Sequence, residues 1–484
     1  MHGSLGEAAA AMAGRLTGAD PDAPWRGAAI DSRRVTGGEL FFALPGERTD
    51  GHGFAAAALE AGAAAAVVHA PVETPADAPL LEVSDVFRAL HALTRHVRQG
   101  GEERAPVPLR LAAVTGSTGK TTTKELATAM LARRFRAAKN EGNLNNLYGF
   151  PLSLLNVPDD TEWMVAEMGM SAAGELSQLS ALSRPDAVVY TNIRPVHLEF
   201  FAGVRDIAEA KAELLEGLVP GGLVVANADD PEVCRIVDGF QRAREAGGGG
   251  VRVVWFGRGD EAAVRALDVR PAGDDLTGSR FVLAVGSERG VEEREVHLPL
   301  HGGYNVDNAL AAAACAWALG IDLDSLADAL AGAAPAAGRG VVHALDGGVT
   351  VIDDSYNSNP EALELALESA AGLAATRRWA VLGDMLELGP EAPRFHREGG
   401  AAAARLGFAP VVAVGELARE LAAGAEGGGA EARWFAEAGE AAEFAAGELA
   451  PGDLVLVKGS RGVGLDAVVA RLCAGRRAGG EADV

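Results

Sequence analysis

An apolar run that breaks at a glycine-rich turn and resumes as a helix-like run constrains the fold of this chain most. It covers residues 111–127 and reads LAAVTGSTGKTTTKELA. A strand, a turn of small residues and a helix in this order direct several backbone N–H groups and the positive helix end at one point, which stabilises phosphate oxygens. Such a strand must lie in a sheet, so the segment predicts an α/β fold that binds a nucleotide.

The residues of this turn suit the parts of a phosphate loop. The ammonium group of Lys120 would bind the terminal phosphates, and the hydroxyl group of Thr121 is placed to ligate Mg²⁺. The common pattern G-x-x-x-x-G-K-[ST] requires glycine at position 114, where this chain has Val114. A glycine turn that carries an exposed lysine and no ligand is the alternative. The predicted ATP contacts in the loop are Gly116, Ser117, Thr118, Gly119, Lys120, Thr121 and Thr122.

Length and the alternation of apolar and helix-like runs predict three domains. The chain has 484 residues, and single domains usually have about 100 to 200. Turn-rich segments at 100–108 and 332–340 suggest boundaries, which gives domains 1–108, 109–335 and 336–484. We expect a small mixed α/β domain, a central parallel-sheet domain like a P-loop ATPase, and a Rossmann-like α/β domain. The strand-like runs are WMVAE, AVVY and GLVVA in the second domain and VTVIDD, WAVLGD, VVAVG and LVLVKG in the third.

Composition excludes several classes of protein. The formal net charge of -24 opposes binding to duplex DNA or to an anionic membrane. The longest apolar region, 54–70, is split by Glu60 and is shorter than the about 20 residues of a membrane span. The first residues predict a short amphipathic helix and not a signal peptide. The cysteines, odd in number and far apart, favour a reducing cytoplasm without disulfides; they are Cys234, Cys315 and Cys473.

Three further residues are candidates for the chemistry. Glu167 ends the run WMVAE, so its carboxylate should lie at the carboxyl edge of the sheet, where α/β proteins bind ligands and a hard cation would find an oxygen donor. His197 follows the run AVVYTN, and Lys211 lies in the helix-like stretch AEAKAELLEG. Considered alone, His197 is better explained as a capped loop residue and Lys211 as a solvated helix residue.

The order of these motifs resembles the central domain of the Mur ligases, ATP-dependent enzymes that extend the peptide of the bacterial cell-wall precursor. The motifs are TGSTGKTT, EGNLNN, VAEMG, TNIRPVHLE and AKAEL. The resemblance implies that Thr121 and Glu167 bind one Mg²⁺, and that His197 and a carbamylated Lys211 bind a second. Carbamylation to N6-carboxylysine would give that lysine oxygen donors. The implied catalytic residues are Lys120, Glu167, His197 and Lys211.

The N-terminal segment DSRRVTGGELFFALPGERTDGHGF is similar to the UDP-sugar-binding domain of the two later ligases in the family. The resemblance implies that its polar residues contact the UDP-muramoyl group. A hairpin and loop held by their own hydrogen bonds is the alternative. The implied contacts are Asp31, Ser32, Arg33, Arg48, Asp50 and His52.

The C-terminal motifs DDSYNSNP, VLGDMLELG and VKGSR resemble those of the family member that adds D-alanyl-D-alanine to UDP-N-acetylmuramoyl-tripeptide. The D-Y-A-H-T-P and D-N-P-R motifs of the ligase for the third residue are absent from this sequence. Further ATP contacts are implied at Asn305, Asn308, Arg339, Asp354 and Tyr356. Substrate contacts are implied at Asn143, Asn145, Asn146, Asn357, Asn359, Lys458, Ser460 and Arg461.

The implied reaction proceeds through an acyl phosphate made from ATP and the tripeptide carboxylate, which the amine of the dipeptide then attacks. Because Arg339 and Asp354 belong to a different predicted domain from Lys120, closure of the domains should complete the site. We expect a monomer. The alternatives are folylpolyglutamate synthetase, the ligase for the third residue, a nucleotide-dependent scaffold and a P-loop motor, and the third residue of the tripeptide, diaminopimelate or lysine, is open.

Overall fold

A computed structural model of the chain describes residues 1–46, 49–104, 108–196, 199–273, 278–287 and 290–474. Within these ranges the strands form one sheet of five strands, one of nine, one of six, and a two-stranded pair. The cores are built mainly from Ala, Val and Leu, in keeping with an aromatic content of only 5%. None of the described helices is both long enough and apolar enough to cross a membrane.

The five-stranded sheet belongs to the N-terminal part of the chain. Its order is β2-β7-β6-β5-β4; β4 to β7 pair in parallel and β2 is antiparallel to β7. Ser4 Oγ accepts a hydrogen bond from Glu7 N and caps the predicted N-terminal helix. The elements are β1 His2–Ser4, α1 Leu5–Ala11, β2 Arg15–Thr17, β3 Pro24–Arg26, β4 Ala28–Ala29, β5 Leu40–Phe42, α2 Ala55–Glu60, β6 Ala65–Val68, β7 Leu80–Glu82 and α3 Val86–Arg104.

The structure corrects one sequence prediction in this region. We expected a turn-rich linker at 100–108, but α3 continues through its first five residues to Arg104. Glutamate and arginine are good helix formers, and a glycine inside a helix costs only about 1 kcal/mol. The two glycines at 100 and 101 therefore do not end the helix.

The nine-stranded sheet carries the phosphate loop near its middle, after β8. Its order is β16-β15-β14-β13-β12-β11-β8-β10-β9. The elements are β8 Arg110–Thr115, α4 Lys120–Leu131, β9 Ala137–Lys139, α5 Gly149–Leu155, β10 Trp163–Glu167, α6 Glu175–Ser183, β11 Ala187–Tyr190, α7 Val204–Ala212, β12 Leu223–Asn227, α8 Pro231–Ala246, β13 Arg252–Gly257, β14 Val264–Pro271, β15 Ser279–Ser287, β16 Gly290–Leu298, α9 Tyr304–Ala318 and α10 Leu323–Ala331.

The strands of this sheet run parallel from β9 to β14, as the sequence predicts, whereas β15 and β16 add an antiparallel edge that it did not predict. The first six residues of β16 are exposed and mostly polar or charged, so this strand lacks the apolar run that predicted β8, β10, β11 and β12. On one face of the sheet, α4 packs against the alanine-rich α9, whose small side chains permit close approach.

The six-stranded sheet forms the C-terminal part. Its order is β17-β18-β22-β19-β20-β21, parallel from β18 to β21 with β17 antiparallel. The four strand-like runs predicted here are β18, β19, β20 and β22, whereas β17 and β21 were not predicted. The elements are β17 Val341–Leu345, β18 Val349–Asp354, α11 Pro360–Ala371, β19 Arg377–Gly383, α12 Ala392–Arg405, β20 Val411–Val414, α13 Arg419–Gly427, β21 Ala432–Phe435, α14 Ala438–Glu448, β22 Asp453–Lys458 and α15 Asp466–Ala474.

Candidate active site

A cleft of about 630 Å³ opens between the loops that follow strands of the nine-stranded and six-stranded sheets. It brings together most of the residues that the sequence analysis selected. Those lining the cleft are Ser117, Thr118, Gly119, Lys120, Thr121, Thr122, Asn143, Asn145, Asn146, Glu167, Lys211, Asn305, Asn308, Arg339, Asp354, Tyr356, Asn357, Asn359, Lys458, Ser460 and Arg461.

The phosphate loop joins β8 to α4 and is held by the residues after β11. Asn192 accepts hydrogen bonds from Ser117 N through its carbonyl, at 2.9 Å, and from Thr118 N through Oδ1, at 3.0 Å. Gly119, before the helix, has φ +79°, and a Cβ atom there would lie 2.0 Å from Asn308 Oδ1. Only glycine fits this position, because both the backbone conformation and the close approach of α9 exclude a side chain.

Lys120 begins α4 and folds over the loop. Its Nζ atom donates to the carbonyl oxygens of Gly116, at 2.9 Å, and Ser117, at 3.2 Å. Burial lowers the pKa of Lys120, an effect that Arg339 reinforces and that the carboxylates of Glu167 and Glu387 oppose. Gly116 lies behind the cleft surface and contributes its carbonyl oxygen to this arrangement.

Glu167 lies at the carboxyl end of β10 and is 4% exposed. Its Oε2 atom accepts from Thr121 Oγ1 at 2.7 Å, and its Oε1 atom accepts from Asn145 Nδ2 at 2.8 Å. The two oxygen-bearing residues predicted to share a magnesium ion are thus in direct contact. Hard oxygen donors beside a phosphate loop form the donor set that Mg²⁺ prefers.

Lys211 lies on α7 and is 2% exposed, so the alternative that it is a solvated helix residue is wrong. Its Nζ atom donates to the carbonyl oxygen of Gly116 at 3.1 Å. Burial, and to a lesser degree the charge of Lys120, hold the pKa of Lys211 well below the usual range of lysine. Burial therefore shifts Lys211 toward its neutral, nucleophilic form.

Two predicted site residues, Arg48 and His197, lie outside the described residues. The predicted second metal position therefore rests on Lys211 alone. Within the described part of the chain, no three His, Cys, Asp or Glu side chains come together as a metal-binding group.

Asn305 and Asn308 lie on one face of α9, as their spacing predicts. Asn308 Nδ2 donates to Asn305 Oδ1 at 3.0 Å, and Asn305 Nδ2 donates to the carbonyl oxygen of His301 at 2.7 Å. Both asparagines are buried and reach the cleft beside the phosphate loop. This pair offers amide groups to a ligand that occupies that loop.

The opposite wall of the cleft comes from the C-terminal sheet. The ring of Tyr356 lies close to two guanidinium groups, with its centroid 4.2 Å from Arg339 Cζ and 5.4 Å from Arg461 Cζ. Among the described residues, the buried Nε atom of Arg339 has no hydrogen-bond partner. Positive charge and an aromatic face are thus presented together, which suits a nucleotide or another anion.

On this wall, two residues predicted to contact substrate form hydrogen bonds within the protein. Lys458 Nζ donates to Asp354 Oδ2 at 2.6 Å and to the carbonyl oxygen of Asn357 at 3.0 Å. Asn359 Oδ1 accepts from Ala362 N at 2.9 Å and caps α11. These bonds fix the segment that carries Tyr356, so Lys458 and Asn359 hold the wall in shape.

The loop at 140–146 contacts both walls and the N-terminal sheet region. The buried Lys124 donates to the carbonyl oxygen of Asn140 at 2.8 Å. Asn143 Oδ1 accepts from Arg461 Nη1 at 3.1 Å. Glu141 accepts from Arg34 Nη2 at 3.4 Å, and Asn145 holds Glu167. One loop therefore joins all three parts of the molecule beside the cleft.

The N-terminal polar residues do not line the cleft. Ser32 and Arg33 form an exposed 3-10 turn, which Asp31 caps by accepting from Arg33 N at 3.0 Å. Hydrogen bonds from Arg33 lower the pKa of Asp31 to about 2. Asp50 accepts from His52 Nδ1 at 2.7 Å. β4 and β5 pair in parallel, so no hairpin joins them, but the polar residues of this segment are held by their own hydrogen bonds, as the alternative expected.

Sequence reasoning missed several residues of the site. Arg194 lies inside the quoted motif TNIRPVHLE. Its Nε atom donates to Glu361 Oε1 across the cleft at 2.7 Å, a contact that the sequence does not reveal. Leu386 and Glu387 belong to the quoted motif VLGDMLELG and line the cleft. These two residues could have been selected from the motif, because a polar turn after a buried strand in an α/β domain commonly carries functional residues.

Comparisons with known proteins place this architecture in a family. Family models match residues 25–98 (Mur ligase family, catalytic domain), 114–316 (Mur ligase middle domain) and 338–461 (Mur ligase, glutamate ligase domain). The chain belongs to the Mur ligase family. Its predicted three-part α/β fold is confirmed by this match and by solved Mur ligase structures.

Among Mur ligases, a UDP-N-acetylmuramoyl-tripeptide--D-alanyl-D-alanine ligase of Bacillus subtilis is 34% identical over 447 residues, which are 92% of each chain. A crystal structure of MurF from Acinetobacter baumannii has a TM-score of 0.83 at 28% identity and covers 98% of this chain and 99% of its own. MurF ligase from Thermotoga maritima, solved in complex with ADP, has a TM-score of 0.74 at 25% identity over 92% and 97% of the two chains.

Proposed function

We propose that the protein is an ATP-dependent, ADP-forming ligase that adds D-alanyl-D-alanine to UDP-N-acetylmuramoyl-tripeptide for peptidoglycan synthesis. The observation that carries this proposal is the cleft. There the phosphate loop with Lys120 faces Arg339 and Asp354 of the C-terminal sheet, in a chain similar along most of its length to ligases of that name.

The reaction begins when the tripeptide carboxylate attacks the γ-phosphorus of ATP, which gives an acyl phosphate and ADP. The free amine of the dipeptide then attacks the acyl carbonyl carbon; the amide forms, inorganic phosphate leaves and the amine loses a proton. Because the transferred group spreads negative charge over its oxygens, catalysis depends on positioning and on positive charge. The ammonium group of Lys120 and the loop N–H groups supply that charge.

The donor set at Thr121 and Glu167 fits a magnesium ion, and we infer that these two residues hold one. When bound there, the ion would neutralise phosphate charge. We infer a second position at His197 and Lys211, the latter as N6-carboxylysine. In that modification the neutral amine of Lys211 bonds to the carbon of CO₂, releases a proton and becomes an anionic oxygen donor.

The carbamate has its own test, which does not depend on activity. After incubation with ¹³C-bicarbonate, the wild-type protein should show a carbamate carbon resonance that the Lys211→Arg variant lacks. Lys139→Arg is the matched control, since Lys139 pairs with Glu125 on the surface. A resonance of equal intensity in Lys211→Arg would refute the assignment.

We further infer that domains 1–108, 109–335 and 336–484 have separate binding roles. The first would hold the UDP-muramoyl group through Asp31, Ser32, Arg33, Arg48, Asp50 and His52. The contact of Arg34 with Glu141 supports this division, because it brings the exposed turn beside the loop that reaches the cleft. The tripeptide would extend from that turn toward Lys120.

The decisive experiment measures phosphate release from ATP with Mg²⁺ and UDP-muramoyl-tripeptide, with and without D-alanyl-D-alanine. D-alanine, glutamate and diaminopimelate serve as competing amines. We expect phosphate release to rise only when D-alanyl-D-alanine is the amine. A product with the mass of the pentapeptide should form at the same time. Release that is indifferent to the amine would indicate a generic ATPase, and release that prefers glutamate or diaminopimelate would indicate another amide ligase.

A further inference from the structure

The proposed function requires a site for a dipeptide that carries charge at both ends. At neutral pH, D-alanyl-D-alanine has an ammonium group and a carboxylate, and its extended backbone spans at most about 7 Å. Selective binding therefore needs an anionic group, a cationic group at that separation, and apolar surface for two methyl groups. The amine must also face the phosphate loop, where the acyl phosphate forms.

Glu387 offers the anionic group. It lines the cleft and has φ +63°, a left-handed conformation that is uncommon outside glycine and is often found at functional sites. The loop around it is anchored in the residues before it: Met385 N donates to the buried His396 Nε2 at 2.9 Å. Leu386 N donates to Ser460 Oγ at 3.0 Å. The protein thus holds Glu387 in an unusual conformation within the cleft.

Arg461 offers the cationic group, and the same hydrogen bond brings it close to Glu387. Leu386 and Ser460 form this hydrogen bond. Glu387 and Arg461 are the next residues along the two loops. A second bond, from Ser460 N to the carbonyl oxygen of Asp384 at 2.9 Å, ties the loops together. Opposite charges are therefore carried on neighbouring, mutually fixed loops.

The two charges also have a direction within the cleft. Two residues after Glu387, a Cβ atom added at Gly389 would lie 3.0 Å from Glu199 Cα, so this loop packs against the segment that follows β11. Arg461 instead contacts Asn143 Oδ1 at 3.1 Å and Tyr356 Oη at 3.4 Å. An amine bound at Glu387 would consequently lie beside the segment whose Asn192 holds the phosphate loop, where the acyl carbonyl carbon has to be attacked.

Apolar surface adjoins the two charged residues. Leu386 is 46% exposed, although it is a large apolar side chain in a polar cleft. It packs next to Gly462, where an added Cβ atom would lie 3.3 Å from Leu386 Cδ1. Leu365, on α11, is 38% exposed and also lines the cleft. Small methyl groups could cover these side chains without displacing a polar contact.

We propose that Glu387 binds the ammonium group of the incoming dipeptide and Arg461 binds its carboxylate, with the methyl groups against Leu386. This assignment rests on the proposed function and adds to it the orientation of the dipeptide and a residue, Glu387, that selects for its free amine.

The test removes each charge from the protein and, separately, from the ligand. Propionyl-D-alanine lacks the amine and serves as a competitive inhibitor, and D-alanyl-D-alaninamide lacks the carboxylate and serves as a substrate. Glu387→Gln should raise the KM for D-alanyl-D-alanine about 10- to 100-fold, the effect of losing a hydrogen bond to a charged group. The same variant should leave the inhibition constant of propionyl-D-alanine unchanged.

Arg461→Gln should weaken binding only of ligands that carry the carboxylate. The KM for D-alanyl-D-alanine should rise by a similar factor, whereas the KM for the amide should remain as in the wild-type protein. A purely structural defect would weaken charged and uncharged ligands alike. Glu391→Gln is the matched control, because Glu391 lies nearby on the surface, paired with Arg394, and should change neither constant.

Two outcomes would overturn the inference: equal weakening of charged and uncharged ligands by either variant, or no weakening at all. In both cases the wild-type protein would still form pentapeptide, so the proposed function would stand. If the wild-type protein forms no pentapeptide, the proposed function itself fails. Circular dichroism spectra and thermal unfolding of Glu387→Gln and Arg461→Gln should match those of the wild-type protein, which confirms that both variants fold.

Discussion

The two walls of the cleft differ in how far some of their polar groups are exposed to solvent. On the central wall, Glu167 and Lys211 are almost fully buried and bonded to the protein. On the C-terminal wall, Asn357, Glu387 and Arg461 are exposed. A preorganised wall suits the charge-dominated phosphoryl transfer, whereas exposed groups can close on a substrate after it arrives. The difference indicates that chemistry and amine selection are assigned to opposite sides.

The largest expected effect is the loss of Lys120 from the preorganised wall. Lys120→Ala should reduce ADP formation at least about 100-fold, since removal of one donor to a developing oxyanion has such an effect. Lys139→Ala, the surface control, should keep normal activity. The measurement is ADP release under saturating substrates, and normal ADP formation in Lys120→Ala would remove the loop from the mechanism.

A smaller effect is expected from Glu167→Gln, which keeps the size of the side chain and removes its charge. We expect a fall in kcat of roughly 10- to 100-fold together with a higher Mg²⁺ requirement, because a neutral amide is a weaker ligand for a hard cation. Glu245→Gln, on the surface helix α8, is the control. An unchanged Mg²⁺ titration curve would contradict a metal role for Glu167.

The contact that joins the two walls should matter less. Arg194 binds Asp230 Oδ2 at 2.5 Å and Glu361 Oε1 at 2.7 Å, and its backbone N donates to Ser117 Oγ at 2.8 Å. Arg194→Met and Glu361→Gln should each lower kcat about 3- to 10-fold, the range of a partly exposed, coupled ion pair.

In a double-mutant cycle the combined loss should be smaller than the product of the single losses. Effects that multiply without coupling would show that the contact does not link the phosphate loop to α11.

The smallest effect is expected far from the cleft. The pKa of Asp31 is depressed to about 2, so its ion pair with Arg33 contributes stability above the unfolded pKa of about 3.9 and loses it as the pH falls toward 2. Because both side chains are solvated, Asp31→Asn should lower Tm only slightly at neutral pH. The difference from wild type should shrink below pH 4; a difference that grows there would contradict the assignment.

Sequence alone predicts those features that depend on local pattern. The phosphate loop, the carboxyl-end position of Glu167 and the pairing of Asn305 with Asn308 follow from strand and helix periodicity. The position of Glu387 depends on hydrogen bonds that the preceding backbone donates to a distant histidine and a distant serine, and β16 is stabilised by pairing with β15 despite its charged sequence. Such tertiary contacts leave no periodic signal in the chain.

The loop at 140–146 has a consequence for how this protein can change. Surface loops usually accept insertions and deletions, but this one is attached at Asn140, Glu141, Asn143 and Asn145 to four separate partners in three parts of the molecule. Adding or removing one residue would break at least one attachment while keeping the others. The length of this loop is therefore as constrained as the sequence of a buried strand.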